Sequence, residues 1–166
     1  GLLFRSGDDY IWKTHSFARK EFLDKYKLKP PIHEWEKKGL LTIVDEPTIN
    51  PKHIIDWFIE AQKNYGLQKV VADNFRMDLL RPLFEDAGIE YEVIKNTRAI
   101  QSLLAPRVED MFAQHHLIFG DNPLMRWYTQ NVAVKIRKDG NKEYEKKEPI
   151  RRKTDGFQAF IHALYR

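Results

Sequence analysis

One pattern occurs twice in this chain, and it limits the possible folds more than any other feature. The apolar run Leu40 to Val44 is closed by Asp45-Glu46-Pro47, after which Asn50-Pro51 opens a segment with Ile54, Ile55, Phe58 and Ile59 at helical spacing. Lys69 to Ala72 is a second buried run, closed by Asp73-Asn74 and followed by an amphipathic segment from Phe75 to Ala87 through Leu79, Leu80, Leu83 and Phe84. Gly88 stops that helix, and Ile89 to Ile94 supplies another strand. Strands alternating with helices of this length need parallel crossovers, so the expected architecture is an α/β domain with a central sheet covered by helices.

The flanks add an antiparallel hairpin at each end. Gly1 to Phe4 breaks at the turn cluster Ser6-Gly7-Asp8-Asp9, after which Tyr10 to Phe17 alternates as one strand. A chain that starts inside a hairpin is expected to lack a preceding strand. Residues 18–38 read as two short helical pieces divided at Pro30-Pro31, and residues 97–115 as a helix that Pro106 should kink or split. After a short helix from Asn122 to Gln130, Val132, Val134 and Ile136 alternate with Ala133, Lys135 and Arg137 up to Asp139-Gly140, a strong turn signal. This predicts a hairpin with one apolar and one basic face. The last element is the most strongly patterned: Phe157, Phe160, Ile161 and Leu164 mark a buried helix face, with Thr154 at the N-cap position and Asp155 as the first helical residue.

Several classes of function are excluded. With no cysteine in the sequence, neither a disulfide framework nor a thiolate zinc site can form. No apolar run approaches membrane-spanning length, which predicts a soluble chain without membrane partners. GxxxxGK[ST], GxGxxG and GxSxG motifs are all missing, so the residues encode no nucleotide-hydrolysing motor and no serine-hydrolase elbow. Charge is unevenly spread. The segment from Lys135 to Lys153 has nine Lys or Arg against four Asp or Glu, so that in a total of +4 the remaining residues carry a net −1. Such a cluster is either a solvated hairpin or the footprint of a polyanion, and its adjacency to Asp155 favours the second.

Two carboxylates are candidates for chemistry. Asp73 stands at the carboxyl end of a parallel strand, where α/β sheets place ligands, although Asp73 or Asn74 could equally cap the next helix. Asp155 could hold a metal beside a phosphate backbone, or simply complement the helix dipole. Gly156 is expected to keep bulk away from whatever that carboxylate faces. Asp8 and Asp9 fit a turn tip, and the adjacent His115 and His116 show no metal-ligand spacing and read as surface residues. His162 is about 10 Å from Asp155 by helix rise, too far to share one coordination shell.

Taken in order, HEWEKKGLLTIVDEP, VVADNF, NPLMRWYTQNVAVKIRKDGN and RRKTDGFQAFIHAL resemble the C-terminal nuclease domain of tailed-phage large terminase subunits. The resemblance covers nearly the whole chain. It implies a ribonuclease-H-like fold, a mixed β-sheet flanked by helices, as a single nuclease domain over residues 1–166. It further implies a metal-dependent endonuclease that cuts concatemeric double-stranded DNA during genome packaging in the host cell cytoplasm. By the same resemblance Asp73 and Asp155 are catalytic metal ligands, and two Mg²⁺ or Mn²⁺ ions are expected in the complete domain. The family places a further carboxylate on a first strand with no counterpart here, so the chain is expected to be N-terminally truncated and separate from the ATPase motor. Lys135, Arg137, Lys138, Lys146, Lys147, Arg151, Arg152 and Lys153 are candidates for the DNA backbone, Lys153 also for the cleaved phosphate. The terminase small subunit and the portal are the implied partners of the full-length protein. A resolvase or integrase-type nuclease, and a non-catalytic docking module of the packaging motor, are the competing readings.

Overall fold

The computed structural model describes residues 1–166. β1 (Leu2–Ser6) and β2 (Asp9–Lys13) form the first antiparallel hairpin, with Leu2 opposite Lys13 and Ser6 opposite Asp9. The strand expected to run on to Phe17 is interrupted at Thr14-His15, and β3 (Ser16–Arg19) pairs instead with β4 (Leu41–Val44) in parallel. His15 pins the break, its ring meeting the Gly39 carbonyl at 3.2 Å and Thr42 Oγ1 at 2.8 Å. Between these strands run α1 (Lys20–Lys25) and α2 (Ile32–Lys37), the two short helices expected there.

α3 (Pro51–Tyr65) starts and stops on local chemistry. The Asn50 side chain accepts the Lys52 N–H, Pro51 occupies the first turn, and Gly66 ends the helix at a φ of 63° that only glycine adopts freely. β5 (Val70–Asp73), α4 (Met77–Asp86) and β6 (Tyr91–Ile94) complete the second crossover, and β5 pairs with β6 in parallel.

α5 (Thr97–Ala113) is one helix, neither split nor divided at Pro106. Proline removes a single hydrogen bond, and the buried Leu104, Ala105, Val108 and Met111 hold both halves of α5 against the core. β7 (Leu117–Ile118) joins β2 in parallel, and α6 (Pro123–Gln130) follows, capped by the buried Asn122, which accepts the Met125 N–H at 2.9 Å. β8 (Val132–Ile136) and β9 (Lys142–Lys146) make the second hairpin, and α7 (Asp155–Leu164) closes the chain.

The hydrogen-bonded ladders fall into four groups, β1-β2-β7, β3-β4, β5-β6 and β8-β9, rather than one continuous sheet. α7 joins two of them, packing on β1 and β5 as well as on α5 and α6. Its four patterned residues are all buried as expected, Phe160 and Ile161 completely. Gly156 has a different role from the one its sequence position suggests. A Cβ there would stand 2.4 Å from Tyr128 Cδ2 and 3.3 Å from Met125 Sδ, so the missing side chain lets α7 lie against α6 instead of clearing space before Asp155.

Candidate functional site

Asp73 ends β5 and lines a cleft of about 1070 Å³ whose walls include Leu2, Leu3 and Phe4 of β1, Val70 to Ala72 of β5 and one face of α7. Both β1 and β5 are edge strands of their ladders, so the cleft runs between open backbone edges. One Asp73 oxygen accepts the Phe75 N–H at 3.0 Å. That bond is the local turn chemistry one would expect of aspartate here, and a carboxylate with two oxygens and about four lone-pair sites can ligate a cation at the same time. Asp73 does not cap α4, whose N-cap position is Arg76 without a side-chain cap bond, and its turn bond is compatible with ligation.

Asp155 opens α7, is exposed, and lines the same cleft. Thr154 occupies the N-cap position but makes no side-chain cap hydrogen bond; it is 1% exposed and packs inward. The helix end is thus left with a carboxylate in its first turn, where the macrodipole favours negative charge. Two aspartates from distant parts of the sequence line one cavity.

The imidazole of His162 lines that cavity as well. It is buried at 8% exposure; desolvation pushes its pKa down, and the negative charge of Asp73 pulls in the opposite direction. Distance along α7 separates His162 from Asp155, as the helix rise requires, but the sequence gives no hint that β5 brings Asp73 to the histidine. Only the spacing of Asp155 and His162 along one helix face could have suggested a shared wall. His116 differs from its expected role too. It is not a free surface residue but meets Asp9 Oδ1 at 2.9 Å, which ties β2 to the segment after α5.

The basic residues divide into groups. Lys146 lines the cleft with the two aspartates. Lys135 and Arg137 lie on the hairpin face opposite Tyr144 and pair with Glu145 at 3.4 Å and Glu143 at 3.0 Å. Lys138 stands exposed in the turn, and Lys147, Arg151 and Arg152 are exposed in the connection to α7, where Glu148 accepts the Arg151 N–H. Lys153 is half-buried, with its ammonium 4.5 Å from the centre of the Phe22 ring. It lines a second, mainly apolar pocket of about 220 Å³ that also touches Asp155. The other hairpin face is not fully covered: Tyr144 is buried, whereas Val134 and Ile136 are exposed.

The donor set can be tested against a metal. Aspartate oxygens are the ligands hard divalent cations prefer, and two of them face the cleft. No three metal-ligand side chains converge anywhere in the chain. Asp73 and Asp155 are of the oxygen-donor type such an ion takes and line the same cleft.

The family model described as "Terminase large subunit, endonuclease domain" matches residues 1–166. No curated protein matches the sequence. Among solved structures, the HK97 bacteriophage large terminase superimposes with a TM-score of 0.81 at 14% identity, covering 98% of this chain and 35% of that one. The large terminase nuclease from thermophilic phage G20c gives a TM-score of 0.57 at 15% identity, covering 70% of this chain and 62% of that one. A structure of the G20c nuclease with bound magnesium gives 0.54 at 15% identity, covering 71% and 61%. The chain thus spans about a third of the HK97 protein's length.

Proposed function

The chain belongs to the endonuclease-domain family of terminase large subunits, and from that premise we propose that it is the metal-dependent domain that cuts concatemeric double-stranded DNA during phage genome packaging. One observation carries the reading: Asp73 and Asp155, from elements far apart in sequence, line a single cleft with Lys146 beside them. The expected fold agrees with it, since the mixed α/β arrangement matches solved terminase nucleases.

Asp73 and Asp155 would serve the divalent cation chemistry of the site as carboxylate ligands. Bound Mg²⁺ or Mn²⁺ would supply Lewis-acid polarisation of the phosphate and charge neutralisation at the attacked phosphorus. Magnesium in the G20c nuclease structure supports that choice of ion. Lys146 draws the negative backbone toward the cleft, while Lys138, Lys147, Arg151 and Arg152 present exposed cations to neighbouring phosphates. Lys135 and Arg137 contribute less, because each already has a glutamate partner. Phosphate contacts carry no sequence information, which suits an enzyme acting at many sites.

The open edges of β1 and β5 support one further assignment. An additional strand laid between them would satisfy both backbones and bring a third carboxylate toward Asp73 and Asp155. That strand is assigned to the longer subunit, as are the ATPase motor and the contacts with small subunit and portal. No helix here is long and apolar enough to cross a membrane, and the host cytoplasm is the place of work that the terminase reading implies.

Plasmid cleavage by the full-length subunit with Mg²⁺ or Mn²⁺ tests the reading. Asp73→Ala and Asp155→Ala should each abolish cutting while leaving the fold intact by circular dichroism. Cleavage indifferent to both substitutions would overturn it.

A further inference from the structure

A buried asparagine stands between α6 and β8. Asn131 is 3% exposed, and a polar side chain that deep needs a partner within the protein. At the end of a helix, asparagine often takes the left-handed backbone that closes it. Asn131 does not, since its φ of −83° and ψ of −5° are right-handed. Its side-chain amide instead donates to the Lys153 carbonyl at 2.8 Å, 22 residues along the chain. Its own carbonyl accepts the Lys147 N–H at 2.9 Å, and its N–H stays with α6, donating to the Trp127 carbonyl at 3.1 Å.

One residue thus fastens both ends of the 147–153 connection to the end of α6. That helix is a firm base, because Leu124, Met125 and Tyr128 are buried in the larger apolar core. The interior of the connection is braced separately, by the Glu148 carboxylate, which accepts the Ile150 and Arg151 N–H groups at 3.1 and 2.6 Å. What the two Asn131 bonds fix lies at the ends. Lys146 precedes one end and lines the main cleft, whereas Lys153 is the other end and lines the smaller apolar pocket. Asp155 lines both cavities, so a cation stands in each of the two spaces that share this carboxylate. Only Thr154, 1% exposed, separates Lys153 from Asp155, and a shift of one is passed to the other.

We propose that Asn131 is a positioning residue of the nuclease site, which holds Lys146 and Lys153 in place beside Asp155 by tying Lys147 and Lys153 to the end of α6. This inference rests on the nuclease reading above. Buried as it is, Asn131 acts on DNA only through the lysines. A lysine ammonium on its flexible stem still attracts a phosphate when the backbone beneath it loosens, but the chemical step needs that phosphate held within a fraction of an ångström. The expected signature is a loss in kcat with little change in KM.

The test is plasmid cleavage by the full-length subunit with Mg²⁺, with folding of each variant checked by circular dichroism. Asn131→Ala should lower kcat about tenfold and change KM less than about twofold. On a Lys153→Ala background the same substitution should lower kcat by less than about threefold, because one group it acts through is gone. Lys147→Pro removes the N–H that the Asn131 carbonyl accepts, at an exposed position following an extended residue of β9, and Lys147→Ala controls for the lost charge. Proline should lower kcat about fivefold relative to alanine there. Full kcat in a folded Asn131→Ala would overturn the positioning role and leave the nuclease reading standing. Should Asn131→Ala not fold, equal kcat in Lys147→Pro and Lys147→Ala would do the same. An equal loss from Asn131→Ala with and without the Lys153 side chain would also overturn it, marking Asn131 as a general support of the fold. A parent subunit that cuts no DNA would overturn both readings.

Discussion

The molecule has two apolar cores that differ in size and in what they carry. Sixteen buried residues, among them Trp12, Leu104, Met125, Phe157 and Phe160, form the larger one around α5, α6 and α7, and Asp155 projects from it. The smaller consists of Ile55, Val70, Met77, Phe84 and Ile89 from the α3–β5–α4–β6 region, and it carries Asp73. The proposed active site belongs to neither core alone. Its geometry is the relation between them, set where α7 packs on β5. Stability of each half and assembly of the site are therefore separable properties.

The largest expected effect separates the two cores directly. Phe160→Ala removes a fully buried ring from the larger core and should cost about 3–5 kcal/mol, read as a fall in the urea midpoint. Phe84→Ala, at 1% exposure, should cost a similar amount of the smaller core's stability, about 3–5 kcal/mol, but hydrogen exchange should show the loss concentrated in β5 and β6 while α7 stays protected. Equal loss of protection in all elements would mean one cooperative core and would break the comparison.

Next in size is Gly156→Ala, which sharpens the comparison at the α6–α7 contact. The Tyr128 ring it would strike is buried and held by a 2.7 Å hydrogen bond between its hydroxyl and Ser16 Oγ, so it cannot swing aside freely. Overpacking should cost about 1–3 kcal/mol, and adding Tyr128→Ala should abolish the collision, so that the effects of the two substitutions are non-additive. Strictly additive effects would show that α7 has room to move. Asn122→Ala should lose about 0.5–2 kcal/mol by uncapping α6, measurable as a lower Tm.

What the sequence revealed follows the same division. α7 was legible because its apolar residues repeat at helical spacing on a single element and all of them are buried. The β5–α4–β6 crossover was legible for the same reason, since each strand is a short apolar run ended by turn residues, whereas β4 pairs with β3 and not with β5. The sheet's division was not, because hydrogen bonding between strands is a long-range property and the break after β2 depends on His15 reaching Gly39 and Thr42. The sequence also began the α4 segment at Phe75, two residues before the helix starts at Met77, because Asp73 and Arg76 shape a non-helical connection there. Of the proposed site residues, Asp73 and Asp155 were legible as a strand end and a helix start, which is where the structure has them, while the ligand role proposed for them comes from the family resemblance. His162 was set aside because along α7 alone it is distant from Asp155, whereas its neighbour is Asp73 of another element.

The smallest expected effect concerns pH. Burial pushes the His15 pKa below its ordinary value of 6.5, outweighing the opposing hydrogen bond to Gly39. The unfolded chain therefore takes up this proton first. The stability that neutral His15 contributes is fully present above pH 6.5 and is lost as pH falls toward and through the folded-state value. His15→Gln should flatten the acid-side fall of the urea midpoint relative to the parent chain, with little change in slope above neutrality. An unaltered acid slope would show that the β2–β3 break does not depend on a neutral imidazole.

The free edges of β1 and β5 also bear on how the domain behaves in concentrated solution. Each presents backbone N–H and C=O groups with no partner in its ladder, and strands from a second molecule can satisfy them as well as any within the chain. Where the further strand proposed above does not lie between them, intermolecular β-addition is the expected route of self-association and aggregation. A short peptide of β-branched residues that competes for those edges should suppress it.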